Sequence, residues 1–141
     1  ISGGNLEDLG LGYGSYHKYS HHGQLPELVN GLKVIEKRQM VELSRFLGKL
    51  KEVDDPSTDG SLLGNTLVLC GSGLANGSSH SAKNMPILLA GGGFRHGQHL
   101  RYPEDPSQRV PLCNLYVSML QQLGLKVDSF GTSTGTLRDF S

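Results

Sequence analysis

At 141 residues, the chain has the size of one ordinary domain and is long enough to bury a core without disulfide staples. Thirteen basic residues balance thirteen acidic ones, which argues against the counterion-release binding of a nucleic-acid protein and against attraction to an anionic membrane. No run approaches the roughly 18 apolar residues of a bilayer span, and the chain opens on Ile1 without a charged-then-apolar signal segment, so it reads as a single domain or a fragment of a longer polypeptide.

Residues 1–25 form a glycine- and tyrosine-rich approach that holds His17-Lys18-Tyr19-Ser20-His21-His22, half of the chain's six histidines. Neutral imidazole is the commonest protein ligand of transition metals and titrates near physiological pH. On a helix His17 and His21 stand at i and i+4, the spacing that one ion can bridge, while His22 points elsewhere. A helix is expected over 26–53: Pro26 suits a first turn, Glu27 suits the positive end of the dipole, and Leu28, Leu32, Ile35, Leu43, Phe46 and Leu50 form an apolar stripe. Lys33, Glu36, Lys37, Arg45, Lys49 and Lys51 read as its solvated side.

Asp54 to Gly60 is a turn by composition. A calcium loop does not fit, because counting from Asp55 the twelfth position is Thr66 where a bidentate glutamate belongs. Thr66–Cys70 and Met85–Ala90 read as strands covered on both faces, and the connection between them, 71–81, is where α/β proteins keep their sites. Gly71-Ser72-Gly73 lacks the G-x-S-x-G spacing of a nucleophile elbow. Gly91 to His99 matches neither a phosphate loop nor a dinucleotide fingerprint and reads as a flexible exposed loop. A second helix is expected over 111–124, a short edge strand over Leu125–Val127, and a surface tail over 129–141. Cys70 and Cys113 read as two buried free thiols. Helix, strand, loop, strand, helix is an α/β order.

Several of these runs occur together in a known family. His17-x-x-Ser20-His21-His22, the helix after it, Asn65-Thr-Leu-Val-Leu-Cys-Gly-Ser-Gly73, His80, Pro86-Ile-Leu-Leu-Ala-Gly-Gly-Gly93, Pro111-Leu-Cys-Asn-Leu-Tyr116 and Asp128-Ser-Phe-Gly-Thr-Ser-Thr-Gly135 resemble the HXXSHH family, a bacterial domain family of unknown function. Its members are usually longer, often begin with a twin-arginine export signal and keep the histidine motif in their C-terminal third. The resemblance implies a C-terminal piece of a periplasmic or secreted protein. A looser similarity runs to alkaline phosphatases, sulfatases and nucleotide pyrophosphatases. There, His17-x-x-x-His21 stands in place of a D-x-x-x-H motif, His80 resembles a later histidine, and Asn114 to Gly124 resembles the last helix. This implies the C-terminal portion of a three-layer sandwich with a mostly parallel sheet. At the strand end where those hydrolases carry aspartate, this chain has Ser72-Gly73, and the nucleophile of that superfamily lies near the N-terminus of the full fold.

The site so implied is a divalent metal, zinc for preference, on His17, His21 and His80 with His22 as a fourth candidate ligand, and with Ser20, Ser72 and Asn76 as candidates to orient the rings. Three imidazoles with an open position would hold water or an ester oxygen. Two functions follow: hydrolysis of a small phosphate or sulfate ester by the full-length protein, or glycan or partner binding by a scaffold that has lost its carboxylate ligands.

Overall fold

The computed structural model describes residues 6–12 and 14–137. They divide into two compact units, one made of the described residues up to 49 with 71–87 and the other of 50–70 with those from 88 onward. Among the described residues no helix is long and apolar enough to cross a membrane.

In the first unit a 3-10 turn at Leu6–Leu9 leads to helix α1, Tyr16–Ser20. Ser15 starts α1 by accepting the Lys18 N–H on its hydroxyl (3.3 Å), the usual way an N-cap satisfies an orphan donor. His21 ends it with its N–H on the His17 carbonyl (3.1 Å). Gly23 and Gln24 then take left-handed backbone angles, φ 53° and 65°, and the chain enters helix α2, Pro26–Glu52, with a proline where no N–H is needed. The core of this unit is Leu6, Tyr19, Leu28 and Ile35, with Leu9, Leu11 and Leu32 packed on it.

Tyr19, 2 % exposed, lies against α2 at Gly31. A Cβ added at Gly31 would collide with the Tyr19 ring atoms Cε1 and Cδ1. A glycine inside a helix costs about 1 kcal/mol relative to alanine, and here it opens the slot that the tyrosine fills. Not all of the expected stripe is inside: Phe46 is 50 % exposed and Leu47 is half-buried instead. The charged side carries Arg38 and Arg45 on Glu42 at 2.8 and 3.0 Å, exposed pairs that contribute little to stability.

In the second unit, strands β1, Asp54–Asp55, and β2, Gly60–Ser61, pair antiparallel with Asp54 opposite Ser61. The turn expected over 54–60 is thus the loop of a small hairpin. Asp55 shapes it by accepting the Ser57 N–H (2.8 Å), the Ser57 hydroxyl (2.6 Å) and the Asn65 amide (3.0 Å). The Ser57 hydroxyl above all, then its amide and Asn65, hold the Asp55 carboxyl below its ordinary value of 3.8.

Strands β3, Val68–Gly71, and β4, Ile87–Ala90, make a second two-stranded sheet. Helix and strand are both present, so the α/β reading holds at that level. The described strands nevertheless form two separate two-stranded sheets, not one extended parallel sheet. Nor are they covered on both faces: Leu69 is 36 % and Leu88 50 % exposed, because a two-stranded sheet with one packed face leaves alternate side chains in water.

Helix α3, Leu112–Gln122, buries Leu115 and Val117. It also buries two polar residues, Asn114 and Ser118, and both bond to the tail. Asn114 accepts the Thr134 N–H (2.8 Å) and donates to its hydroxyl (3.2 Å), while Ser118 accepts the Leu137 N–H and donates to the Leu137 carbonyl, both at 2.9 Å. The tail over 129–137 is a loop with no buried residue, as expected, and it is tied to α3 at Thr134 and Leu137; residues 138–141 lie outside the described residues. The edge strand expected over 125–127 is absent: this stretch is irregular and follows the turn at 123–124, with Leu125 N–H on the Leu120 carbonyl and the Gln121 amide on the Val127 carbonyl.

The loop at 91–99 is less free than its composition suggests, since Phe94 is buried and His96 Nε2 donates to the Gly91 carbonyl at 3.0 Å. The cysteines are free but only half-buried. Thr132 Oγ1 donates to Cys113 Sγ at 3.5 Å and holds that thiol's pKa below its ordinary value.

Two glycines of α2 test the Tyr19 packing. Gly31→Ala should destabilise the protein by about 1–3 kcal/mol through overpacking, whereas Gly48→Ala, where a Cβ meets nothing within 4 Å, should stabilise it by about 0.4–1 kcal/mol. Urea denaturation of both variants reads the difference. A carboxyl titration followed by NMR should place Asp55 below 3.8 and move it up in Ser57→Ala. Its folded-state pKa being lowered, Asp55 contributes stability that is present above the unfolded value and lost as pH falls through the folded one.

Candidate metal centre

Helix α1 and the loop between β3 and β4 supply the histidines, and all four expected ligands belong to the first unit. Tyr19 anchors α1 from its buried side. His17 and His21 stand one helical turn apart with ring centroids 4.4 Å from each other, tilted by 51°.

The loop arrives from 59 residues further along the chain. It closes on itself through an isolated bridge between Asn76 and Ser81, with Ala75 N–H on the Ser81 carbonyl at 2.7 Å. His80 lies within this closure at φ 49°, a left-handed conformation uncommon outside glycine, although histidine is among the residues that tolerate it. Backbone outliers of this kind gather at functional sites. Here the outlier delivers an imidazole: His80 Nε2 lies 3.2 Å from His21 Nε2, and the two rings meet edge to face with centroids 4.9 Å apart.

That separation suits two kinds of bond. In the metal-free protein one Nε2 donates to the other, so the rings differ in tautomer. Two imidazole nitrogens on one tetrahedral ion, at bond lengths of about 2.0–2.1 Å, stand roughly 3.3 Å apart by trigonometry. An ion could replace the shared proton with little movement of either ring.

Partial loss of hydration, then repulsion from His17, His80 and His22 in that order, lowers the His21 pKa below 6.5. The neutral form, the one able to ligate a metal, is thereby favoured. Among the described residues, no group of three or more histidine, cysteine, aspartate or glutamate side chains stands in metal-holding geometry. The His21–His80 pair, with the His17 ring beside it, is the arrangement present.

The remaining expected residues have other bonds. His22, 9 % exposed, accepts the Gln24 N–H on Nδ1 at 3.0 Å, which leaves only Nε2 for any ligand and ties the turn after α1. Ser20 donates to the His17 carbonyl (3.0 Å), Ser72 accepts the Leu74 N–H (3.3 Å), and Asn76 accepts the Ser79 N–H (3.0 Å) and hydroxyl (3.3 Å). These three bonds shape the main chain and the loop.

Two further residues fix this arrangement, Gly77 and Ser78. Ser78 Oγ accepts the Gly23 N–H at 3.1 Å, and Gly77 packs onto the Ser20 main chain. The Asn76-Gly77 dipeptide is a turn signal, but nothing in it says which distant turn it touches. Asp105, beyond β4, caps the 3-10 turn Pro106–Gln108 by accepting the Ser107 N–H (2.9 Å) and hydroxyl (2.8 Å). Those two bonds hold its carboxyl below the ordinary range.

No family model matches the chain, and no curated protein or solved structure matches it.

The His21 titration has a definite sign. By NMR its midpoint should lie below 6.5 and rise toward that value in His17→Ala and His80→Ala. Neutral His21 contributes stability above the unfolded pKa, lost as pH falls through the lowered folded value.

Proposed function

We propose that the protein binds a divalent transition metal ion, zinc for preference, through Nε2 of His21 and His80, with the His17 imidazole drawn in as a third ligand. The observation that carries this reading is the 3.2 Å approach of two nitrogens from segments 59 residues apart. Imidazole-only donors suit zinc better than magnesium or calcium, which take oxygen ligands. His17 and His80 are exposed and His21 half-buried, which leaves the remaining coordination positions open to water or to an incoming anion. His22 acts in this reading by holding the turn, and its neutral Nδ1 is required for that.

The resemblance to the HXXSHH family, and more distantly to phosphate and sulfate ester hydrolases, extends the reading to an exported protein whose scaffold is the C-terminal part of a three-layer sandwich. In such a protein the ion would polarise the oxygen of a small anionic ester and stabilise the charge on the leaving group. The nucleophile would come from sequence preceding the equivalent of residue 1, so hydrolysis is assigned to a longer polypeptide and metal binding to these residues. A second reading, an exported non-catalytic module that recognises a glycan, is favoured by one feature: Ser72-Gly73 follows β3 where the hydrolases carry a carboxylate, and Ser72 closes a local turn.

Elemental analysis after zinc loading and dialysis tests the metal. The wild type should retain stoichiometric zinc, His21→Ala and His80→Ala should lose it, and His17→Ala should bind at least tenfold more weakly. Zinc-free wild type would overturn the reading. Chromogenic phosphate and sulfate monoesters, tried on the full-length gene product, separate the hydrolase from the binding module.

A further inference from the structure

We propose that Gly77 and Ser78 are positioning residues: they clip the 76–81 loop onto the turn that follows α1 and thereby hold His80 against His21. The inference rests on the metal-binding reading for its consequence, ion affinity, but its geometry stands without an ion.

The clip has two contacts on either side of one peptide bond. At Gly77 the two main chains pass so closely that a Cβ would lie 2.7 Å from the Ser20 carbonyl oxygen and 3.1 Å from Ser20 Cβ. The nearer obstacle is backbone, which cannot swing aside as the end of a long side chain would. At Ser78 the hydroxyl accepts the Gly23 N–H at 3.1 Å, supplying a partner for a main-chain donor in a left-handed turn residue.

Each contact is close in sequence to a ligand. Ser20 precedes His21 directly, Gly23 follows it by two residues, and His80 follows Ser78 by two. Two residues span at most about 7 Å even when extended, so fixing both contacts leaves little freedom in where the rings meet. The turn is also braced from within by the Gln24 N–H on His22 Nδ1, and the loop by the Asn76–Ser81 bridge. Preformed ligands need no ordering when the ion arrives, which is where a rigid site gains its affinity. Removing a group that orients a metal ligand weakens binding by about 10–100-fold.

The test uses the full chain with Gly77→Val, Gly77→Ala, Ser78→Ala and Ser78→Thr, each checked for folding by far-UV circular dichroism. Cobalt(II) is the probe, read by its d–d absorption, and the metal-free readout is the nuclear Overhauser effect between the His21 and His80 rings. Gly77→Val should lose the cross-ring effect and bind cobalt about 10–100-fold more weakly. Ser78→Ala should weaken binding by about tenfold, and Ser78→Thr, which keeps the hydroxyl, should restore it.

Wild-type cobalt affinity and an intact cross-ring effect in both Gly77→Val and Ser78→Ala would overturn the proposal. If Gly77→Val fails to fold, Gly77→Ala and Ser78→Ala decide by the same two readouts. If the wild type takes up no cobalt, the metal reading fails, and the cross-ring effect alone judges the clip: its loss in the variants supports the clip and its persistence refutes it.

Discussion

The contact between the Tyr19 ring and the backbone of α2 at Gly31 is the constraint on which the candidate site depends. Five residues of helix cannot sustain themselves in water, because nucleation is unfavourable and few bonds repay it. Helix α1 persists because Ser15 caps its start and because Tyr19 is sunk into the slot that a glycine leaves in the middle of α2. With that ring fixed, His17 in α1 and His21 at its C-cap, two residues to either side, come one turn apart. His17 is exposed and His21 half-buried, while the tyrosine between them is buried.

The core behind this arrangement is narrow. Among the described residues, four form its buried cluster, and α2 leaves Val34, Met40, Val41 and Phe46 in water. Precision at the site therefore comes less from hydrophobic burial than from directed polar bonds and close main-chain approach. Hydrogen bonds of this kind each contribute only about 0.5–1.5 kcal/mol net, but they specify geometry that a greasy contact would leave loose. The second unit uses the same means, where Asn114 and Ser118 lace the tail to α3.

Much of the helical structure was legible in the residues. Proline and glutamate at the start of α2, the leucine and isoleucine spacing that follows, and the glycine after α3 are local signals whose meaning does not depend on distant partners. Strands were legible as apolar runs but not as sheets. Thr66–Cys70 and Met85–Ala90 look the same whether a sheet is buried on both faces or has only two strands, and the exposure of Leu69 and Leu88 was written nowhere in those runs. The ties of the tail to α3 were illegible for the opposite reason. Gly, Ser and Thr describe a solvated loop equally well as a segment whose main chain is satisfied by buried side chains on a helix.

By itself the sequence determined which side chains were available: a histidine-dense turn, a long amphipathic helix, balanced charge, and no carboxylate at the end of β3. The i, i+4 relation of His17 and His21 also followed from it, since helical geometry is local. Only the tertiary structure decided that His80 meets His21 and that Gly77 and Ser78 clip the two segments together. The physical reason is that these are contacts between segments more than fifty residues apart, made by main-chain approach and single hydrogen bonds, and no periodicity in a linear pattern encodes which distant carbonyl a glycine will touch.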